Sequence, residues 1–222
     1  MTDRRSHERW ERDRLASGLY AAGAGRAWLG APLARLLWRA DAKRFYGERR
    51  RVRDLPERSV VLDVPCGAGV LFPPAPSHQG TGPLYVALDF SDLMLGRARR
   101  AIAARGLERV HLVRADAQQL PFADGVFDRV LSHNGLHCYD DPARAVCEMA
   151  RVLKPGGVLR GNAIVAGAGR LPDLVIRAAL RLGMFQSRLH PDEVGAWLAG
   201  ASLEDVKVEP SGAMHYFSAR RT

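Results

Sequence analysis

Between Ser59 and Val165 the chain alternates two rhythms. Short runs of β-branched and apolar residues recur at SVVLDV (59–64), YVALDF (85–90), VHLVRAD (110–116), VFDRVLS (126–132) and GVLRGNAIV (157–165). Their length and lack of polar alternation predict strands buried on both faces. Helix-period segments separate them. SDLMLGRARRAIAARG predicts a helix capped by Ser91 and stopped by Gly106. DPARAVCEMARVLKPGG predicts another, with Asp141 as N-cap, Pro142 in the first helical position and Pro155-Gly156-Gly157 turning the chain into the next strand. LPDLVIRAALRLG and PDEVGAWLAGA add two more helices. VKVEP and AMHYFSAR read as final strands joined only by Pro210, Ser211 and Gly212. So short a turn makes them an antiparallel hairpin. The expected fold is therefore α/β: a doubly wound, mostly parallel sheet of seven strands closed by a C-terminal antiparallel hairpin.

The ends of this unit differ. Residues 1–57 read as helical, in ERWERDRLASGLYAA and in a second run from Ala31 to Leu55. In that run Leu33, Leu36, Leu37, Ala40 and Arg44 keep helical spacing, Pro32 suits a first turn and Pro56 ends it. Residues 1–57 are expected to form a lid over a domain at 58–222, with 166–200 as a helical cap. Both segments carry apolar and aromatic residues suited to closing over an apolar or aromatic molecule: Trp10, Tyr20, Trp28, Trp38, Phe45 and Tyr46, then Met184, Phe185 and Trp197. Pro73, Pro74 and Pro76 fall where the first crossover helix should run and predict a short or broken one.

Composition adjusts this picture in three places. The net charge of +9 comes from 33 basic residues, all arginine except Lys43, Lys154 and Lys207. Residues 1–58 carry 15 basic and 8 acidic side chains, so most of the excess lies before the sheet. That reads as solvated helix faces, with an anionic macromolecular partner as the alternative. No apolar run is long enough to span a membrane, and the charged N-terminus is unlike a secretory signal. Cys66, Cys138 and Cys147 lack metal-ligand spacing, which points to a reducing cytoplasm and no metal.

The chemistry lies in three acids, Asp63, Asp89 and Asp116, each at the C-terminal tip of a strand, one strand–helix unit apart. Ligands of open parallel sheets bind outside those tips. A loop with Cys66, Gly67 and Gly69 follows the first acid, and glycine lets backbone approach a ligand closely. A pyrophosphate is a poor match: Asp63 would repel it, the third glycine of a dinucleotide loop is replaced by Phe72, and no Gly-Lys-Ser/Thr end exists. S-adenosyl-L-methionine matches better. Asp89 can take both ribose hydroxyls, Asp116 the adenine amino group with the Ala117 N–H on a ring nitrogen, and Asp63 the methionine ammonium. Phe90 and Met94 would border the adenosine.

These blocks resemble the class I S-adenosylmethionine-dependent methyltransferases, especially the small single-domain branch with ubiquinone- and menaquinone-type and natural-product enzymes. The resemblance rests on VVLDVPCGAG, ALDFSDLML and RADAQQLPFADGVFDRVLSHNGLHCYDDPARAVCEMARVLKPGG, covering roughly residues 59–165. It implies a Rossmann-like methyltransferase fold and methyl transfer by in-line displacement. Pro65 departs from the glycine of many relatives and removes an N–H donor from the cofactor loop. In SHNGLHCYDD (132–141), Ser132 and His133 would contact the methionine portion. His133, His137 and Tyr139 are the catalytic candidates, a histidine being the natural general base. Tyr46 is the lid residue expected on the cofactor side. No Asn/Asp-Pro-Pro-Tyr/Phe motif follows the fourth strand, which disfavours adenine and glutamine acceptors. The expected acceptor is a small molecule taken by a monomer or homodimer. An RNA or protein acceptor and a non-methylating cofactor-binding module are the rivals.

Overall fold

A computed structural model describes residues 27–53, 55–73 and 82–222. Its strands are β1 (Val60–Asp63), β2 (Leu84–Asp89), β3 (Val110–Arg114), β4 (Phe127–His133), β5 (Leu153–Ile164), β6 (Leu203–Ser211) and β7 (Met214–Arg221). They form one sheet in the order β3-β2-β1-β4-β5-β7-β6. The first five are parallel, and β7 runs antiparallel between β5 and β6. The strand order reverses at β1, so the tips of β1 and β4 flank the crevice where such sheets bind ligands.

Six α-helices accompany the sheet among the described residues: α1 (Ala27–Trp38), α2 (Lys43–Arg53), α3 (Asp92–Arg105), α4 (Pro142–Val152), α5 (Arg170–Arg181) and α6 (Pro191–Gly200). Consecutive residues Val61 and Leu62 are both fully buried and belong to different core clusters. Successive strand side chains point to opposite faces, so an uninterrupted apolar run is what a sheet covered on both sides requires. The expected caps are present. Ser91 Oγ accepts from Met94 N (3.3 Å), Gly106 closes α3 at φ 60°, and Asp141 accepts from Arg144 N before Pro142.

Three expectations are corrected. The run 31–55 is two helices, broken where Arg39 takes φ 54° and Asp41 Oδ1 accepts from Lys43 N (2.9 Å) to start α2. Pro32 lies inside α1 instead of in its first turn. β5 begins at Leu153, since Leu153 already pairs with Phe127 across a register irregularity, so Pro155-Gly156-Gly157 lies within the strand. The first N-terminal helical segment, and with it Trp10 and Tyr20, lies outside the described residues, as do Pro74 and Pro76.

The break between α1 and α2 is held by the β6–β7 hairpin. Ala213 N donates to Trp38 O (2.8 Å), Asp41 N to Ser211 Oγ (2.9 Å), and Tyr216 Oη to Asp41 O (3.1 Å). At the hairpin tip a Cβ on Gly212, whose φ is 58°, would stand 2.2 Å from Trp38 O. Only glycine lets the two backbones meet there.

Candidate cofactor and acceptor site

Parallel pairing brings the three acids to one edge of the sheet. Asp63 ends β1, Asp89 ends β2, and Asp116 stands two residues beyond β3. A cavity of about 570 Å³ opens over them. Asp63, Pro65, Cys66, Gly67, Asp89, Phe90, Met94, Asp116, Ala117, His133, His137, Tyr139 and Tyr46 all line it. Gly69 and Ser132 stand back from its wall: Gly69 lies under the Phe72 ring, and Ser132 is fully buried.

The loop after β1 is fixed to the tip of β2. Cys66 N donates to Leu88 O (2.8 Å) and Gly67 N to Asp89 Oδ2 (2.9 Å). Ser91 N donates to the other oxygen, Asp89 Oδ1 (2.9 Å). Two backbone donors thus set the orientation of one carboxylate before any ligand arrives. Gly69 has φ 75°, and a Cβ on it would meet Phe72 Cε2 at 2.4 Å, so the turn closes only over glycine. Asp116 Oδ1 accepts from Gln118 N (2.8 Å) and from its side-chain amide (3.1 Å).

Asp63 is 1% exposed, and among the described residues its carboxylate has one hydrogen-bond partner, Tyr85 Oη, which donates to Oδ2 (2.8 Å). Burial pushes its pKa up to about 7; the Asp89 charge adds to the rise and the Tyr85 hydrogen bond opposes it. Such a carboxyl is short of a cation. The same burial, reinforced by Asp89 and Asp63, drives the Cys66 thiol far up, so that sulfur is not a nucleophile.

Beyond β4 the candidates separate by environment. His133 Nδ1 lies 2.6 Å from Asn162 Oδ1, and the Phe45 ring meets it edge-on at 5.8 Å. His137 Nδ1 accepts from Ile164 N (3.2 Å), its ring lies 4.1 Å from that of Phe185, and burial lowers its pKa to about 3. Tyr139 is buried with its hydroxyl beside Gly135, where an added Cβ would stand 2.9 Å from it and 2.3 Å from Pro65 Cδ. Burial, then the charge of Asp89, raises that phenol well above its usual range.

The far end of the cavity is apolar, with Leu37, Trp38 and Phe45 from the α1–α2 side and Val175, Met184 and Phe185 from the α5 side. Trp38 and Phe185 stack at 6.2 Å. Two residues not singled out from the sequence matter here. Tyr85 and Asn162 are fully buried polar side chains within apolar stretches of β2 and β5. That interruption is the signal for them, since a buried hydroxyl or amide requires a partner.

No lysine or arginine lines the cavity among the described residues. Three carboxylates without a cation do not suit a phosphate-bearing ligand and do suit one with an ammonium, hydroxyls and an amine. Residues 62–160 match the family model described as a methyltransferase domain. The chain is 36% identical over 115 residues to the demethylmenaquinone methyltransferase of Bacillus cytotoxicus, covering 52% of this chain and 48% of that protein.

Residues 62–160 are thus similar to a methyltransferase domain.

A chloroplastic methyltransferase of Arabidopsis thaliana, itself uncharacterized, is 29% identical over 169 residues, 74% of this chain and 48% of that protein. The chain thus spans about half the length of the curated relatives it matches. Phosphoethanolamine N-methyltransferase 2 of Haemonchus contortus, solved with S-adenosyl-L-methionine, superposes with a TM-score of 0.72 at 14% identity. That match covers all of this chain and 60% of the other, and it speaks for the fold. S-adenosylmethionine, the cofactor of class I methyltransferase domains, fits these residues. Asp89, oriented by two backbone donors, could take the ribose hydroxyls, Asp116 with Ala117 the adenine, and buried Asp63 the ammonium. Among the described residues no group of three His, Cys, Asp or Glu side chains could hold a metal.

Proposed function

We propose that the protein transfers the methyl group of S-adenosylmethionine to a small apolar or aromatic acceptor held between α1, α2 and α5. The observation that carries this reading is the two-ended cavity, with carboxylates at one end and apolar side chains at the other. When bound, the cofactor supplies a methyl group on a positively charged sulfur, already activated for displacement. The chain's task is to bind, orient and exclude water. Alignment of two reactants can supply effective molarities of ~10⁵ M or more, roughly 7 kcal/mol of the barrier.

Asp63, Asp89 and Asp116 hold the cofactor, and Gly67, Pro65, Cys66, Phe90 and Met94 shape its cradle. Gly69 and Ser132 support that cradle from behind. Tyr46 and Phe45 close the lid side, with residues 1–57 as the lid and 166–200 as the cap. His133 receives the acceptor's proton, because its Nδ1 is engaged by Asn162. His137 cannot do so near neutrality: Ile164 N occupies its acceptor nitrogen and burial opposes its charge. Tyr139 packs its hydroxyl beside Gly135. No helix among the described residues is long and apolar enough to cross a membrane. We place the protein in the cytoplasm as a monomer or homodimer with a small-molecule acceptor and no nucleic acid.

Calorimetry with S-adenosylhomocysteine and a labelled-methyl assay over a panel of phenols and quinols test this reading. Binding, its loss in Asp89→Ala, and label in an apolar product are expected. Absence of nucleoside binding, or label appearing only in RNA or protein, overturns it.

A further inference from the structure

Five large apolar side chains are exposed among the described residues: Leu33, Leu36, Leu171, Leu174 and Leu182. Isolated exposed leucines are ordinary, but these are concentrated. Leu33 and Leu36 are one turn apart on α1. Leu171, Leu174 and Leu182, with exposed Ala178, follow one stripe of α5 and its C-terminal cap. Helices α1 and α5 touch each other. Leu33, Ala178 and Leu182 are both exposed and part of the cavity wall, so the apolar end of the cavity opens on this face.

The charge around these leucines is predominantly positive. Exposed Arg170, Arg177 and Arg181 flank the stripe on α5, and Arg35 lies beside Leu36 on α1. The one acid within the two helices is Asp173, which accepts from Gly167 N (2.8 Å). A protein partner would have to satisfy bare leucines and unopposed arginines together. An anionic lipid surface offers acyl chains to the first and headgroup charge to the second.

We infer that the α1–α5 face docks on an anionic bilayer, seating the mouth of the cavity against the lipid so that an apolar acceptor passes from the membrane into the site. The docking itself does not depend on methyl transfer. Only the passage of the acceptor rests on the proposed function.

The test is co-sedimentation of the full-length protein with vesicles of phosphatidylcholine, with and without about one-third phosphatidylglycerol. Binding to the anionic vesicles that weakens with salt is expected, with little binding to the neutral ones. The double variant Leu36→Glu/Leu174→Glu, at exposed positions outside the cavity wall, should lower the bound fraction about tenfold or more while S-adenosylhomocysteine binding stays unchanged. Arg177→Glu/Arg181→Glu should do the same by charge. Three results overturn the inference: no binding to either vesicle at low salt, equal binding by wild type and both variants, or a stable dimer dissociated by the leucine variant without any lipid binding. No step of this assay requires turnover, so its failure leaves the proposed chemistry standing, and a failure of that chemistry leaves the docking result intact.

Discussion

His133 Nδ1 and Asn162 Oδ1 stand 2.6 Å apart at the tips of two neighbouring strands. Asn162 also donates from Nδ2 to Asn134 Oδ1 (2.6 Å), which leaves its Oδ1 facing the ring. With both amides so oriented, the proton sits on His133 Nδ1 and the lone pair on Nε2.

Removing that orientation should impair chemistry more than binding. Asn162→Ala is expected to lower kcat about 10–100-fold, as loss of a ligand-orienting partner commonly does, with the cofactor Kd nearly unchanged. It should also shift the acidic limb of the kcat–pH profile, which a purely structural defect would not. An unshifted limb with kcat and stability falling together counts against His133 as base.

The Asp89 carboxylate holds the loop and would hold the ribose. Asp89→Ala removes the acceptor of both Gly67 N and Ser91 N. Cofactor affinity should fall about 100-fold or more, since each hydrogen bond to a charged group contributes about 1.5–3 kcal/mol. Calorimetry on the variant measures this directly.

Asp63 links cofactor binding to protons. Burial raises its pKa to about 7, so near pH 6 it holds a proton that a bound ammonium would displace. Calorimetry in buffers of different ionisation enthalpy should detect release of nearly one proton near pH 6, and that release should fall away as pH rises through about 7. The folded chain holds this proton more tightly than the unfolded chain does. Its stability without cofactor is therefore lost as pH rises from about 4 through about 7. Asp63→Asn should be the more stable protein at pH 8, by roughly 3–4 kcal/mol, while binding cofactor poorly.

His137 acts in the opposite direction. Its folded-state pKa is lowered to about 3, so below about 6.5 the unfolded chain takes up a proton that the fold refuses. Stability is lost as pH falls through that window, by roughly 3 kcal/mol at pH 4 from this group. Urea melts of His137→Asn, which keeps a hydrogen-bond acceptor in the side chain, should be flatter than those of wild type between pH 7 and 4.

The parts legible in the sequence were those governed by local rules. The runs ending in Asp63 and Asp89, the caps Ser91 and Asp141, and the closing hairpin need no long-range information. What escaped is non-local. The break at Arg39 depends on a hairpin about 170 residues away that grips Asp41. The early start of β5 depends on Phe127 offering a partner to Leu153. In the site, chemistry alone made His133 and His137 equal, and only the fold separates them, giving one an asparagine and the other a backbone amide. Nor does composition reveal that the exposed leucines share a face.

The grip of the β6–β7 hairpin on the segment after Trp38 has a mechanical meaning. One end of α1 is pinned to the β6–β7 edge of the sheet, while Leu33 on its outer face stands at the cavity rim. The C-terminal strands contribute little but Met214 to the cavity wall, yet their hairpin fixes where the Trp38 end of α1 stands beside it.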